Sequence, residues 1–189
     1  MRNILLALNL VLIALSSNTI KAQSTNDSWP TFLQHSGDVI QIGLPAGIVL
    51  ENLITKDKEG FKQFSLSFGT NFLATHALKR IIRKKRPDPS EARNALPSGH
   101  TSASFQAATY IHIRYGIKYG IPAYVLATYV GYSRIDGVDR RHDIWDVVSG
   151  AALGSLTSYL FVTSKDKDVK ISPILTRDSV SFSLTFDIK

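Results

Sequence analysis

Residues 97–100 read Pro97-Ser98-Gly99-His100. Pro, Ser and Gly in succession mark a turn, and alone they say little more. The next fifteen residues give the turn a use. From His100 to Arg114, Phe105, Ala108, Ile111 and Ile113 are available for burial along a helix, so the loop enters a helix at Ser98 and Gly99. A helix N-terminus presents free N–H groups and the positive end of the dipole, a ready site for an anion. Gly99 lets the backbone approach such an anion closely, Ser98 adds a hydroxyl, and His100 follows at once. The bland alternative is a capping serine and a surface histidine.

Working outward, the upstream block is Lys79-Arg80-Ile81-Ile82-Arg83-Lys84-Lys85-Arg86-Pro87. Lys79 and Arg86 are two helical turns apart, about 10 Å along one face. Arg86 precedes a proline, which pushes it out of the helix and frees its guanidinium to turn toward an anion. Arg80, Arg83, Lys84 and Lys85 read as a solvated basic face, or as cations that attract anionic lipid or steer an anionic substrate. The downstream block is Ser133-Arg134, then His142 and Asp146. The last two stand at i, i+4 on one helix face, where the carboxylate can fix the tautomer of the ring. Such a pair also occurs as plain surface hydrogen bonding, or as two metal ligands, although no further His, Asp or Glu cluster supports a metal.

In this order the three blocks resemble the signature of the type 2 phosphatidic acid phosphatase superfamily, which includes class A acid phosphatases and vanadium haloperoxidases. The resemblance runs over roughly residues 39–162. It implies an all-α fold, a phosphatidic acid phosphatase type 2-like bundle of five or six helices. It also implies metal-independent hydrolysis of phosphate esters with no cofactor. In that scheme His142 is the nucleophile and forms a phosphohistidine, Asp146 orients it, and His100 is the general acid. Lys79, Arg86, Ser98, Gly99 and Arg134 hold the phosphate. At Arg134 this chain departs from the pattern: residues 135–141 make a longer connection to His142. Either the loop bulges and leaves Arg134 in place, or Arg140 or Arg141 supplies the cation. Within the superfamily a vanadate-dependent haloperoxidase is the alternative; outside it, a non-catalytic envelope or lipid-binding protein on the same scaffold.

Residues 23–37 read as an irregular lead-in, with Asp38 capping a helix through Val39, Ile40, Ile42 and Leu44 that Pro45 and Gly47 kink or split. A second helix spans about 61–84, with Phe61, Phe64, Phe68, Phe72 and Leu73 as a core stripe. Residues 121–134 and 143–163 complete the bundle, the last with Gly150, Ala151, Ala152 and Gly154 for close approach. In the tail, Val180, Phe182, Leu184, Phe186 and Ile188 alternate with polar residues, a strand that pairs with 169–175 in a short C-terminal β-hairpin.

The 189 residues suit one domain, and the absence of cysteine excludes disulfides and thiolate metal sites. Arg2, the apolar run from Ile4 to Leu15 and Lys21-Ala22-Gln23 read as a signal peptide over 1–22, leaving a domain over 23–165 and the hairpin tail over 166–189. The net charge of +7 drops to +5 without Arg2 and Lys21. With the phosphatase resemblance, that excess points to a phosphorylated lipid or small phosphate monoester and to a membrane surface as partners, and not to nucleic acid. The expected location is exported: periplasmic or envelope-associated, with integral membrane placement as the alternative. Val147 to Ser164 is a long run without Lys, Arg, Asp or Glu, yet it is rich in Ser and Gly; core helices of a soluble or surface-bound bundle account for the run lengths slightly better than a full set of spans.

Overall fold

The computed structural model describes residues 29–165, together with the backbone of 169–175 and 180–186. The expected signal peptide lies outside the described residues. Five helices follow one another: α1 (Trp29–Ile54), α2 (Lys58–Ile82), α3 (Gly99–Tyr115), α4 (Ile117–Asp136) and α5 (Ile144–Phe161). The fold is all-α. In the tail, β1 (Val169–Leu175) and β2 (Val180–Phe186) run antiparallel with Val169 opposite Phe186. The all-α assignment rests on the helices, and a hairpin role for the tail stays an expectation.

The local boundaries have local causes. Asp57 caps α2 by accepting from the Gly60 N–H at 2.8 Å. Arg83 ends α2 with a left-handed backbone, φ 51°. Gly116, at φ 91°, separates α3 from α4, a conformation that costs glycine little. Asp143 and Asp146 form a reciprocal capping box at the start of α5.

Helix α1 differs from its sequence reading. It begins at Trp29, with Pro30 in its first turn, so Asp38 lies inside the helix and caps nothing. Pro45 does not split it; Ile40, Leu44 and Ile48 form one buried face across the proline. Packing of that face outweighs the one lost backbone bond.

Helix α3 is the axis of the bundle and touches the other four. Its neighbours come close because the contact surfaces are small. A Cβ on Gly150 of α5 would sit 2.6 Å from the Ser98 carbonyl oxygen, and Gly154 faces Ser102.

The interior is largely polar. Gln63, Ser67, Asn71 and Thr75 make up most of the buried face of α2, and Thr101, Ser102, Gln106 and Thr109 are buried on α3. They bond one another: Ser102 Oγ donates to Asn71 Oδ1 at 2.5 Å, and Gln106 Nε2 donates to Ser67 Oγ at 2.7 Å. The expected aromatic core stripe is only half right. Phe64 is buried, Phe68 is intermediate, and Phe61, Phe72 and Leu73 face outward. Ile42, Leu50, Ile121, Val125, Val148 and Leu156 do the same on the other helices. A polar interior, most of it hydrogen-bonded, inside an apolar surface reverses the order expected in water.

Candidate active site

The three blocks meet at one end of the bundle. There α2 and α4 end and α3 and α5 begin, so side chains distant in sequence share one cleft of about 470 Å³. Lys79, Arg86, Gly99, His100, Arg134 and His142 line it. Phe68, Phe72 and Ala103 extend it along the apolar side.

At its base lies the His142–Asp146 pair, both buried, with Nδ1 3.3 Å from Asp146 Oδ2. The carboxylate accepts there, so Nδ1 carries the proton and Nε2 keeps its lone pair. Asp146 is itself held. Its Oδ2 accepts from the Asp143 N–H at 3.1 Å and its Oδ1 from Lys84 Nζ at 2.8 Å. Burial acts to raise its pKa, but the bonds from His142, Lys84 and Asp143 outweigh it and keep it a carboxylate. For His142 burial prevails and lowers the pKa against the pull of Asp146, so the ring is neutral at neutral pH.

Ser98 differs from the sequence reading. It is fully buried beneath the cleft: its N–H donates to the Asp146 carbonyl at 2.8 Å, and its hydroxyl accepts from Thr101 Oγ1 at 2.9 Å. It therefore fastens the start of α3 to the start of α5 and does not line the cleft. What Ser98 leaves free at this helix start is the first N–H groups of α3 from Gly99 onward, the donors that a helix N-terminus offers an anion.

His100 is half-exposed, with Nε2 3.2 Å from Asp38 Oδ1. Burial and the Arg134 guanidinium push its pKa down to about 4, against the pull of Asp38. Arg134 is buried: NH1 donates to Asp38 Oδ1 and NH2 to the Gln34 carbonyl, both at 2.8 Å. Lys79 Nζ donates to the Asn94 carbonyl at 2.5 Å, and Arg86 Nε donates to Asn94 Oδ1 at 2.7 Å. Burial, then repulsion from Arg86, brings the Lys79 pKa down to about 8.

The longer connection before His142 is absorbed as a turn on α1. Arg140 N–H donates to the Gly137 carbonyl at 3.1 Å, Val138 N–H to the Pro30 carbonyl at 3.3 Å, and Asp139 N–H to Gln34 Oε1 at 3.0 Å. Arg134 keeps its place at the cleft. Arg141 reaches the rim while paired with Asp139 at 2.5 Å, and Arg140 is not among the lining residues.

Sequence reasoning missed three contributors. Asp38, read as a cap, links Arg134 to His100. Lys84, read as a solvated cation, binds Asp143 at 2.5 Å as well as Asp146. Asn94 organises Lys79 and Arg86 from the loop. No periodic signal could have found Lys84, which lies beyond the end of α2. Among the described residues no three His, Cys, Asp or Glu side chains gather as a metal site.

An all-α bundle that brings a buried His–Asp pair, a second histidine and several cations to one end defines the class. Residues 60–170 match the PAP2 superfamily, and the chain belongs to it. It is 44% identical over 88 residues to a lipid A 1-phosphatase of Porphyromonas gingivalis, a match over 45% of this chain and 19% of that protein's length. It is 27% identical over 171 residues to a lipid A 4'-phosphatase of Helicobacter pylori, with 84% of each chain covered. Its fold resembles the crystal structure of Aquifex aeolicus LpxE, at TM-score 0.56 and 22% identity, covering 72% of this chain and 86% of that one.

Proposed function

We propose that the chain is a metal-independent phosphatase of membrane lipid phosphates. The observation that carries this is the convergence of His142–Asp146, His100 and the cations Lys79, Arg86 and Arg134 on a cleft with one apolar side. The names of the two relatives support a phosphorylated lipid as substrate.

The chemistry follows from the positions. Lys79, Arg86, Arg134 and the Gly99 end of α3 take the three non-bridging oxygens, where charge accumulates in phosphoryl transfer. Nε2 of His142 attacks phosphorus as the bond to the leaving oxygen breaks. Asp146 holds the Nδ1 proton and stabilises the cationic ring that forms. His100 gives its proton to the leaving alkoxide. The free ring is neutral at neutral pH, and a phosphate dianion beside it favours the charged form, so substrate and proton arrive together. Water then cleaves the phosphohistidine with His100 as base, releasing inorganic phosphate and restoring His142.

The reversed burial supports a bundle seated in a membrane. Residues 39–50, 63–78, 101–113, 119–133 and 147–164 contain no Lys, Arg, Asp or Glu, and their outer faces are apolar. By length and composition alone one described helix, Trp29–Ile54, could cross a membrane. The site residues lie outside these stretches, at the surface where a lipid headgroup stands. We place that surface on the extracytoplasmic side, on the strength of the signal-like N-terminal residues.

The test is phosphate release by purified full-length protein in detergent. Substrates are acylated phospho-sugars carrying a 1- or a 4'-phosphate, phosphatidate, and p-nitrophenyl phosphate, each with and without EDTA. Release from a lipid that survives EDTA is expected. Strict dependence on an added divalent cation, or preference for the soluble ester, would overturn the reading.

A further inference from the structure

A second concavity of about 400 Å³ adjoins the cleft, lined by His76, Lys79, Arg80, Arg83, Arg93 and Asn94. It shares His76, Lys79 and Asn94 with the first, so the two open onto a common wall. Its cations come from two segments, the end of α2 and the loop before α3. Most other cations at this end are engaged: Lys84 with Asp143 and Asp146, Lys85 with Glu91, Arg86 with Asn94, and Arg141 with Asp139. The guanidinium groups of Arg80, Arg83 and Arg93 bind no acid and no carbonyl among the described residues. Three guanidinium groups around one hollow are uncompensated among the described residues and exceed what one reacting phosphate needs. Guanidinium suits a phosphoryl group because its fork matches two oxygens at once.

Resting on the phosphatase reading, we propose that this hollow is a second anion subsite, which takes a further phosphoryl group of the same lipid while the first lies against His142. Lys79 is the divider. Its ammonium is pinned to the Asn94 and Ala95 carbonyls at 2.5 and 3.3 Å, between the two hollows. The enzyme would then select lipids bearing two phosphates. The second group orients the first without reacting, so the subsite adds binding and register but no bond changes.

The test compares Arg80→Gln/Arg93→Gln with the unaltered full-length protein in neutral detergent micelles. The probes are a bis-phosphorylated acylated disaccharide and its mono-phosphorylated counterpart. With both charges removed, kcat/KM on the bis-phosphorylated lipid should fall at least about tenfold, and on the mono-phosphorylated lipid less than about twofold. The inhibition constant of inorganic phosphate should not move. Equal losses on both lipids, or none, would overturn the proposal. A tenfold weaker phosphate inhibition would mark an exit site for product instead. Losses on both lipids that arise only when phosphatidylglycerol is added to the micelles would mark a membrane-charge contact instead. Binding of both lipids to His142→Ala, with and without the two Gln substitutions, is measured in parallel. If the unaltered protein hydrolyses neither lipid, the phosphatase reading fails, and the binding ratio alone still decides the subsite.

Discussion

Each end of the bundle buries an arginine against an aspartate, and the two pairs are built to opposite purposes. At the far end Arg114 and Asp57 are 6% and 9% exposed, and NH2 meets both carboxylate oxygens at 2.7 Å. Gln63 and the Thr163 carbonyl accept from its NH1. At the cleft Arg134 is 5% exposed, but Asp38 is 41% exposed and shares one oxygen between Arg134 and His100. Burial acts to lower both arginine pKa values. Pairing with Asp57 outweighs it for Arg114, whose pKa rises, whereas for Arg134 burial prevails. A saturated pair closes one end of the fold. An under-compensated cation beside a half-open carboxylate leaves the other end ready for an anion.

The sharpest way to break this comparison is at the nucleophile. His142→Ala should lower kcat by at least about 10⁴-fold, as loss of an oriented nucleophile does elsewhere. The melting temperature should barely change, because the far end is untouched. Activity within tenfold of the unaltered protein would remove His142 from the chemistry and leave the two ends without distinct roles.

Next in size is the closed pair itself. Arg114→Gln leaves Asp57 buried, with Lys165 at 3.5 Å as its remaining cation. Denaturant unfolding should show a loss of about 3–5 kcal/mol, with kcat/KM of the folded fraction within about twofold. Lost activity without lost stability would show that the ends are not separable.

Arg134→Lys tests the open end. Lysine keeps the charge but not the fork, so kcat/KM should fall by about tenfold or more, with little change in stability. Arg141→Lys, on the half-exposed rim, should stay within about twofold. The inverse pattern would mean that the long connection, and not α4, supplies the phosphate ligand.

The smallest effect is a pH limb. Burial and Arg86 favour neutral Lys79, so its proton leaves at about pH 8. Above that pH the charge is gone, and kcat/KM should decline. Lys79→Arg should carry the limb upward, because guanidinium stays charged. A pH profile unmoved by that substitution would assign the limb to another group.

The sequence by itself determined the helices, the approximate ends of α2 to α5 and the three blocks, because caps, turn glycines and i, i+4 spacings act between near neighbours. Asp57, Gly116 and Asp143 stop or start helices wherever the chain finally packs. The resemblance carried by the three blocks also grouped Lys79, Arg86, Gly99, His100 and His142, and left Arg134 open against Arg140 and Arg141. Only the tertiary structure decided which face of each helix turns inward. Periodicity shows that two faces differ but not which medium each meets, so Phe72 and Leu73 read as core while Asn71 and Thr75 occupy it. It alone moved Ser98 under the cleft, put Arg134 and not Arg140 in its lining, and gave Asp38, Lys84 and Asn94 their partners. Those contacts join residues as far as 96 positions apart, as Arg134 to Asp38 shows. No local preference encodes such a meeting, which is set by how five helices pack around α3.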